Sequence, residues 1–276
     1  MTVSTKISVA MKVMVELLAK VKKHGIKGCV VKLKNRLKKK KNRIKEFGEI
    51  EHYFQNKKGI EIGGPSGAFG RSGYMPVYEI METLDGVNFS SSTVWTGEIE
   101  EAKGFIINGR NVGNIYIADA TDLNMVNNNA YDFVLSSNNI EHIANPMKAL
   151  EQWILKLKPN GVIVIVAPRK EVNFDHNRKI VKFVHLLEDY QNKIDEHDLT
   201  HLDEILRLHD LSMDLPAGTL EKFKDRSLRN YENRCLHHHV FDTKVLEQMC
   251  AFFQLTPILM KEETHDYIIM AKKCSL

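Results

Sequence analysis

The run Gly59-Ile60-Glu61-Ile62-Gly63-Gly64-Pro65-Ser66-Gly67 sets an apolar segment, an acidic residue and a glycine-rich turn in immediate succession. Glycine is needed where a backbone bends sharply, or where a ligand lies against the main chain with no Cβ in the way. A buried strand feeding such a turn is how nucleotide-like cofactors are held in doubly wound α/β folds. An ordinary strand-ending turn reads the same way over these nine residues. The neighbouring segments therefore have to separate the two.

Downstream, Pro76 to Leu84 reads as a second strand ending near Leu84, with Asp85 about twenty residues past the glycine turn. A carboxylate there accepts hydrogen bonds from ribose hydroxyls; the same aspartate before Gly86 also suits a plain turn. Asn88 to Ser92 is a polar loop that would border a pocket. Ile115 to Ala120 is another short apolar run containing an acid, Asp119. Tyr131 to Ser137 reads as a fourth strand, followed by Asn138-Asn139-Ile140-Glu141-His142 and a helix from Met147 to Leu157. Lys158-Pro159-Asn160-Gly161 is a tight turn, and Val162 to Ala167 is the most hydrophobic strand. Strands alternating with helices predict a parallel sheet with helices on both faces. Ligands bind such sheets outside the carboxyl ends of the strands, where Glu61, Asp85, Asp119 and Ser136 would lie.

The alternation stops between Arg169 and Cys235, a polar, helical-patterned stretch rich in histidine that reads as an insertion over the strand ends. Phe241-Asp242-Thr243 then starts a helix, with Asp242 or Thr243 as its cap. Leu255 to Lys261 and Asp266 to Lys272 form a closing hairpin.

The chain has 276 residues, 43% hydrophobic and 27% charged, which suits one large globular domain with an appendage. Its four cysteines are scattered with no CxxC pair, so a disulfide framework or cysteine-based zinc site is not expected and a reducing, cytoplasmic setting is. No apolar run approaches the roughly 20 residues of a membrane span. The N-terminus does not read as a signal peptide: Glu16 interrupts its apolar stretch and Lys20, Lys22 and Lys23 follow. The net charge of +4 hides an asymmetry. Lys20 to Lys45 holds thirteen basic residues and no acid, leaving the remainder net acidic by roughly nine. Two amphipathic helical stretches, Ile7 to Val21 and Val30 to Phe47, would form either a basic arm or a hairpin packed on the main domain with a solvated lysine face. As an arm it would touch an anionic surface, whether a membrane to which the protein binds peripherally, a lipid-linked precursor or nucleic acid. No aromatic residues interleave with the lysines, which argues against base stacking.

With these residues in place, the sequence resembles the class I S-adenosylmethionine-dependent methyltransferases, in particular the small-molecule branch with the type-11 domain. The resemblance covers about Gly59 to Pro168 and Phe241 to Lys272. It rests on Glu61-Ile62-Gly63-Gly64-Pro65-Ser66-Gly67, on Asp132-Phe133-Val134-Leu135-Ser136-Ser137 followed by Ile140-Glu141-His142, and on Leu157-Lys158-Pro159-Asn160-Gly161-Val162. It implies a doubly wound, mostly parallel seven-stranded sheet of Rossmann-like methyltransferase type, closed by an antiparallel strand. Residues 1–47 would be a basic helical extension. The cofactor-binding core would span 48–168, a His-rich substrate lid 169–235, and the rest of the core 236–276.

The resemblance also implies roles. Glu61 and the backbone of Gly63, Gly64, Pro65, Ser66 and Gly67 would hold the amino-acid end of S-adenosylmethionine. Asp85 would bind the ribose, Asp119 and Ala120 the adenine, and Ser136 and Asn138 would flank the methionine portion. Pro65 departs from the family pattern, which has glycine there; proline offers no N–H and fixes its own φ. The whole chain further resembles methyltransferases found beside bacterial surface-polysaccharide genes, which suggests a saccharide hydroxyl as acceptor.

Methylating a hydroxyl requires alignment of donor and acceptor and removal of a proton, a task suited to histidine near neutral pH. His142, His176, His201 and His238 are the candidates, with a structural role open for each. His176, His197, His201, His237 and His239 are also candidates for a divalent metal, since imidazole suits transition metals, although no spacing matches a known motif. The expected function is O-methylation of a saccharide or other polar small molecule. The alternatives are nucleic-acid methylation using the basic arm, and a non-catalytic binding module of the same fold.

Overall fold

The computed structural model describes residues 42–95 and 97–274, so the expectations for the basic arm as far as Lys41 lie outside the described residues. A short helix α1 (Phe47–Ile50) precedes β1 (Lys58–Ile62) and β2 (Thr83–Asn88). Two small two-stranded sheets follow, β3 (Ser92–Thr93) with β4 (Gly97–Glu98), and β5 (Phe105–Ile107) with β6 (Arg110–Gly113). The chain then re-enters the main sheet as β7 (Ile115–Ile117) and β8 (Tyr131–Ser137), turns through α2 (Pro146–Lys156), and runs into β9 (Leu157–Pro168).

The insertion carries α3 (Phe183–Gln191), α4 (Leu202–Leu208), α5 (Leu220–Leu228) and α6 (Asn230–Asn233). Helix α7 (Thr243–Phe252), β10 (Leu255–Glu262) and β11 (Asp266–Lys273) close the chain. Asp242 caps α7 by accepting from the Val245 N–H at 2.8 Å.

The main sheet has seven strands in the order β10-β11-β9-β8-β1-β2-β7. The pairs β9–β8, β8–β1, β1–β2 and β2–β7 are parallel; β11 is antiparallel to both β9 and β10. This is the doubly wound fold expected. Strand order reverses between β1 and β8, so the loops after them diverge and leave a crevice.

Alternation along the strands feeds two cores. Ile163, Ile165 and Ala167 of β9 and Ile269 of β11 face α2 and α7, against Met147, Leu150, Trp153, Leu246 and Met249. Val162, Val164, Val166, Ile268 and Met270 face the other way, against Ile44, Phe47, Phe54, Phe69 and Phe105. Both faces are thus buried, as a parallel sheet requires. The second face is covered by short helical turns and the β5–β6 ribbon rather than by long helices, a difference from the expected layering. Ile44 is also buried in this core, so the segment before Phe47 joins it. The insertion has a small core of its own around Leu202, Ile205, Ala217, Phe223 and Leu236.

The second strand differs from expectation. Val77–Glu79 is a single 3-10 turn, and β2 begins only at Thr83 and runs to Asn88. Tyr78 has been drawn out of the strand pattern to bond with Glu61. The expected turn at Lys158–Gly161 is a bulge inside β9, with Asn160 at φ 63° and the pairing jumping from Tyr131–Leu157 to Phe133–Val162.

Candidate active site

A cavity of about 950 Å³, counting space open to solvent, lies at the carboxyl ends of β1, β2, β7 and β8. One half is built on backbone geometry. At the end of β1, Gly63 takes φ 78°, and a Cβ there would stand 2.7 Å from Asn139 Oδ1. Its N–H donates to Val87 O at 2.9 Å, tying the turn to β2. Glu61, fully buried, braces the turn from beneath. It accepts from the Ser66 N–H at 2.9 Å and from the Tyr78 hydroxyl at 2.6 Å. Burial pushes the Glu61 carboxyl up to about 8, against the pull of these two donors. A Cβ on Gly64 would strike the Glu61 carboxyl carbon at 2.2 Å. The Gly64–Pro65 peptide is cis, and Asn88 Nδ2 donates to Gly64 O at 3.1 Å.

Gly63, Pro65 and Ser66 line the cavity, as do Asp119, Ala120 and Asn138. Gly64 and Gly67 open onto two shallower neighbouring pockets. Glu61 does not line the cavity: it shapes the turn instead of presenting its carboxylate to a ligand. Ser136 is also fully buried, its hydroxyl 3.3 Å from Asn139 Nδ2, and the adjacent Ser137 is the residue that faces in.

Asp85 is corrected outright. It pairs with Ile60 in the middle of β2, three residues before the strand ends. Its carboxylate is taken up by the Tyr131 hydroxyl at 2.7 Å, the Asn114 N–H at 2.7 Å and Lys58 Nζ at 3.4 Å. The late start of β2 moves the strand end to Asn88, and Asn88 and Phe89 line the cavity in its place.

The other half is built on polar side chains from Asn138 onward. Asn138, at φ 47°, donates its N–H to Val166 O at 2.9 Å and turns the chain into the 3-10 segment Ile140–His142. His142 forms part of the cavity wall. Its Nδ1–H donates to Leu236 O at 3.1 Å, which fixes the tautomer and leaves Nε2 unprotonated. Burial drives its pKa well below the ordinary value, and the neighbouring His237 adds to this. Trp95, 55% exposed, meets the His142 ring edge-on at 5.1 Å. His237 stands on another side at 4.5 Å between ring centres, its Nδ1 only 2.5 Å from Asp175 Oδ2. Asp175 is in turn held by Arg178 at 3.0 Å.

Arg234, in the left-handed conformation at the end of α6, reaches from the insertion across the cavity mouth. It lies 3.0 Å from Asp119 Oδ2 and 3.2 Å from Glu196 Oε1, and over the Phe89 ring at 5.4 Å. Asp119 also accepts from the Thr121 hydroxyl at 2.6 Å.

The other expected catalytic histidines are elsewhere. His176 is on the insertion, 2.9 Å from Asp210. His238 is buried, 3.0 Å from Asn230 Nδ2 and 3.4 Å from Glu196. His201 sits with His185, Asp189 and His239 behind the cavity wall. The five histidines expected around a metal are therefore not gathered. His197 stacks on Tyr231 at 3.9 Å, and His176 and His237 are engaged by aspartates; only His201 and His239 come together.

Sequence reasoning missed Trp95, Ser137, Asn139, Ile143 and Glu196 as cavity residues. Ser137 and Asn139 neighbour expected positions. Trp95 and Glu196 had no signal, because their places depend on loop and insertion packing.

A family model described as a methyltransferase domain matches residues 33–255. No curated protein matches the sequence. Similar solved structures include an S-adenosylmethionine-dependent methyltransferase of Mesorhizobium loti. It is 12% identical, with 82% of this chain and 95% of that one covered and a TM-score of 0.47. Another is 1,6-didemethyltoxoflavin N1-methyltransferase of Burkholderia thailandensis, solved with bound 1,6-didemethyltoxoflavin and S-adenosylhomocysteine. It is 11% identical, with 84% of this chain and 78% of that one covered and a TM-score of 0.47. Among the described residues no helix is long and apolar enough to cross a membrane.

Proposed function

Since the chain belongs to the family of methyltransferase domains, whose model spans residues 33–255, we propose that it moves a methyl group from S-adenosylmethionine to a hydroxyl oxygen of a saccharide or other polar small molecule. The cavity residues fit the cofactor by their chemistry. Ile62, Val87, Phe89, Ala118 and Ile143 offer apolar walls for a flat base. Asn88, Asp119, Ser137 and Asn138 offer polar groups for hydroxyl and amino-acid functions, and the backbone at Gly63 is bare. Bound there, the cofactor supplies an electrophilic methyl group on a sulfonium.

The chain's own contribution to the reaction is alignment and proton removal. His142 Nε2 would take the acceptor hydroxyl's proton when that oxygen is methylated. Leu236 O keeps the other ring nitrogen protonated, so the lone pair stays on Nε2. The low basicity of His142 keeps it neutral and ready through mildly acidic pH. Trp95, exposed beside this base, gives a flat apolar face of the kind that packs on the C–H face of a sugar ring. That pairing of indole and base suits a saccharide, including a bacterial surface polysaccharide.

The observation that carries the reading is His142 in the cavity wall with its Nδ1–H held by Leu236 O. The test is incubation of the protein with methyl-labelled cofactor and cell extract separated into glycan, small-molecule, lipid, protein and RNA fractions. Label should enter the glycan or small-molecule fraction as a methyl ether. Label confined to RNA or protein would overturn the acceptor class. Absence of label together with no affinity for S-adenosylhomocysteine would overturn methyl transfer itself.

A further inference from the structure

We infer that His185, Asp189, His201 and His239 form a binding site for one divalent transition-metal ion of the zinc class, which pins the insertion to the catalytic core. The four side chains come from three separate segments. His185 and Asp189 are one helical turn apart on α3 and so share a face. His201 immediately precedes α4, and His239 lies in the chain returning towards α7. Each brings one donor atom to within 4.8 Å of the other three.

The spacing is that of a first coordination shell. Two nitrogen ligands about 2.05 Å from a tetrahedral zinc ion are about 3.3 Å apart. Here His185 Nε2 is 3.1 Å from His201 Nε2, and Asp189 Oδ2 is 3.5 Å from both His185 Nε2 and His239 Nε2. The three rings stand steeply to one another, at 88°, 78° and 74°, with centroids 5.0 to 5.7 Å apart, as rings aimed at a common point do.

Hydrogen bonding within the group does not account for all of it. A proton shared between His185 and His201 satisfies those two nitrogens. It leaves Asp189 Oδ2 and His239 Nδ1, both buried, with no hydrogen-bond partner. Such orphaned buried atoms are costly, and a cation at the centre of the group removes the cost for the carboxylate. Three imidazoles and a carboxylate suit zinc, cobalt or nickel rather than magnesium or calcium.

None of the four side chains lines the active-site cavity. The link to it is structural: the Asp189 backbone O accepts from Asn145 Nδ2 at 3.1 Å, two residues after Ile143, which forms part of the cavity wall. Metal bound here fixes that wall and the insertion together.

The test is cobalt(II) titration of the purified, chelator-stripped full chain, followed by visible absorption, metal analysis and thermal melting. The expected result is one cobalt per chain, the intense absorption bands of four-coordinate cobalt, and a raised melting temperature reproduced by zinc. His201→Gln and Asp189→Asn should each weaken binding at least tenfold, while His197→Gln should leave it unchanged. No saturable one-to-one binding to the wild-type chain would overturn the site whatever the variants do. Binding of undiminished strength in folded His201→Gln and Asp189→Asn chains would overturn it as well.

Discussion

The two halves of the cavity are built by different means. The half after β1 and β2 is set by backbone: Gly63 at positive φ, its N–H on Val87 O, and the Gly64 carbonyl held by Asn88. The half facing the insertion is set by ionisable side chains. There His142, His237 and Asp175 interact, and Arg234 spans from Asp119 to Glu196. The first kind of site is fixed as soon as the sheet registers. The second exists only once segments as far apart as Asp119 and Arg234, or His142 and His237, have met. Changes in the first half should therefore act on cofactor affinity, and changes in the second on turnover.

The largest effect tests the backbone half. Gly63→Arg forces a side chain into a left-handed turn already 2.7 Å from Asn139, and calorimetry should show S-adenosylhomocysteine binding abolished in a chain with normal circular dichroism. Unchanged affinity would place the cofactor elsewhere. Next comes the side-chain half. His142→Gln should lower kcat by roughly 10²- to 10⁴-fold, the range for general base catalysis, with affinity for S-adenosylhomocysteine within about threefold of wild type. A loss of affinity with kcat retained would reverse the assignment of halves.

A smaller effect concerns Glu61. Its folded pKa is raised from 4.5 to about 8, so between those values the folded chain holds a proton that the unfolded chain releases. Stability should then fall as pH rises from about 4.5 to about 8. Glu61→Gln should flatten much of that slope in chemical denaturation, leaving a part from Glu141, which burial pushes up to about 7. An unaltered slope would mean that Glu61 is ionised in the folded protein. The smallest functional effect is expected at Asp85. Asp85→Asn should cost about 1–3 kcal/mol of stability by weakening a buried hydrogen-bond set, and should change S-adenosylhomocysteine affinity by less than about twofold. A loss above tenfold would restore Asp85 to the ribose site.

How far the site was legible follows the same division. Local pattern sufficed for the glycine turn, for Asp119 and Ala120 after β7, and for His142 after β8, because each sits at the carboxyl end of a strand that hydrophobic pattern reveals. Asp85 was misplaced because Tyr78 left the expected strand to bond with Glu61, and β2 began later. The choice among twelve histidines could not be made from spacing. His142 differs from His176 only in which surface its segment packs against, and His185 meets His201 and His239 only through the folding of the insertion.

The antiparallel β11 has a consequence for how the protein is made. It lies between β9 and β10 in the sheet, yet the ribosome produces it after both. Until Asp266 to Lys273 have emerged, β9 presents a naked edge of Val162, Ile163, Val164, Ile165 and Val166, the most apolar strand of the molecule. An exposed edge of that kind templates pairing between chains. The nascent protein is thus most prone to aggregate late in synthesis, and a premature stop before β11 should yield insoluble chain even though most of the cofactor half has already been translated.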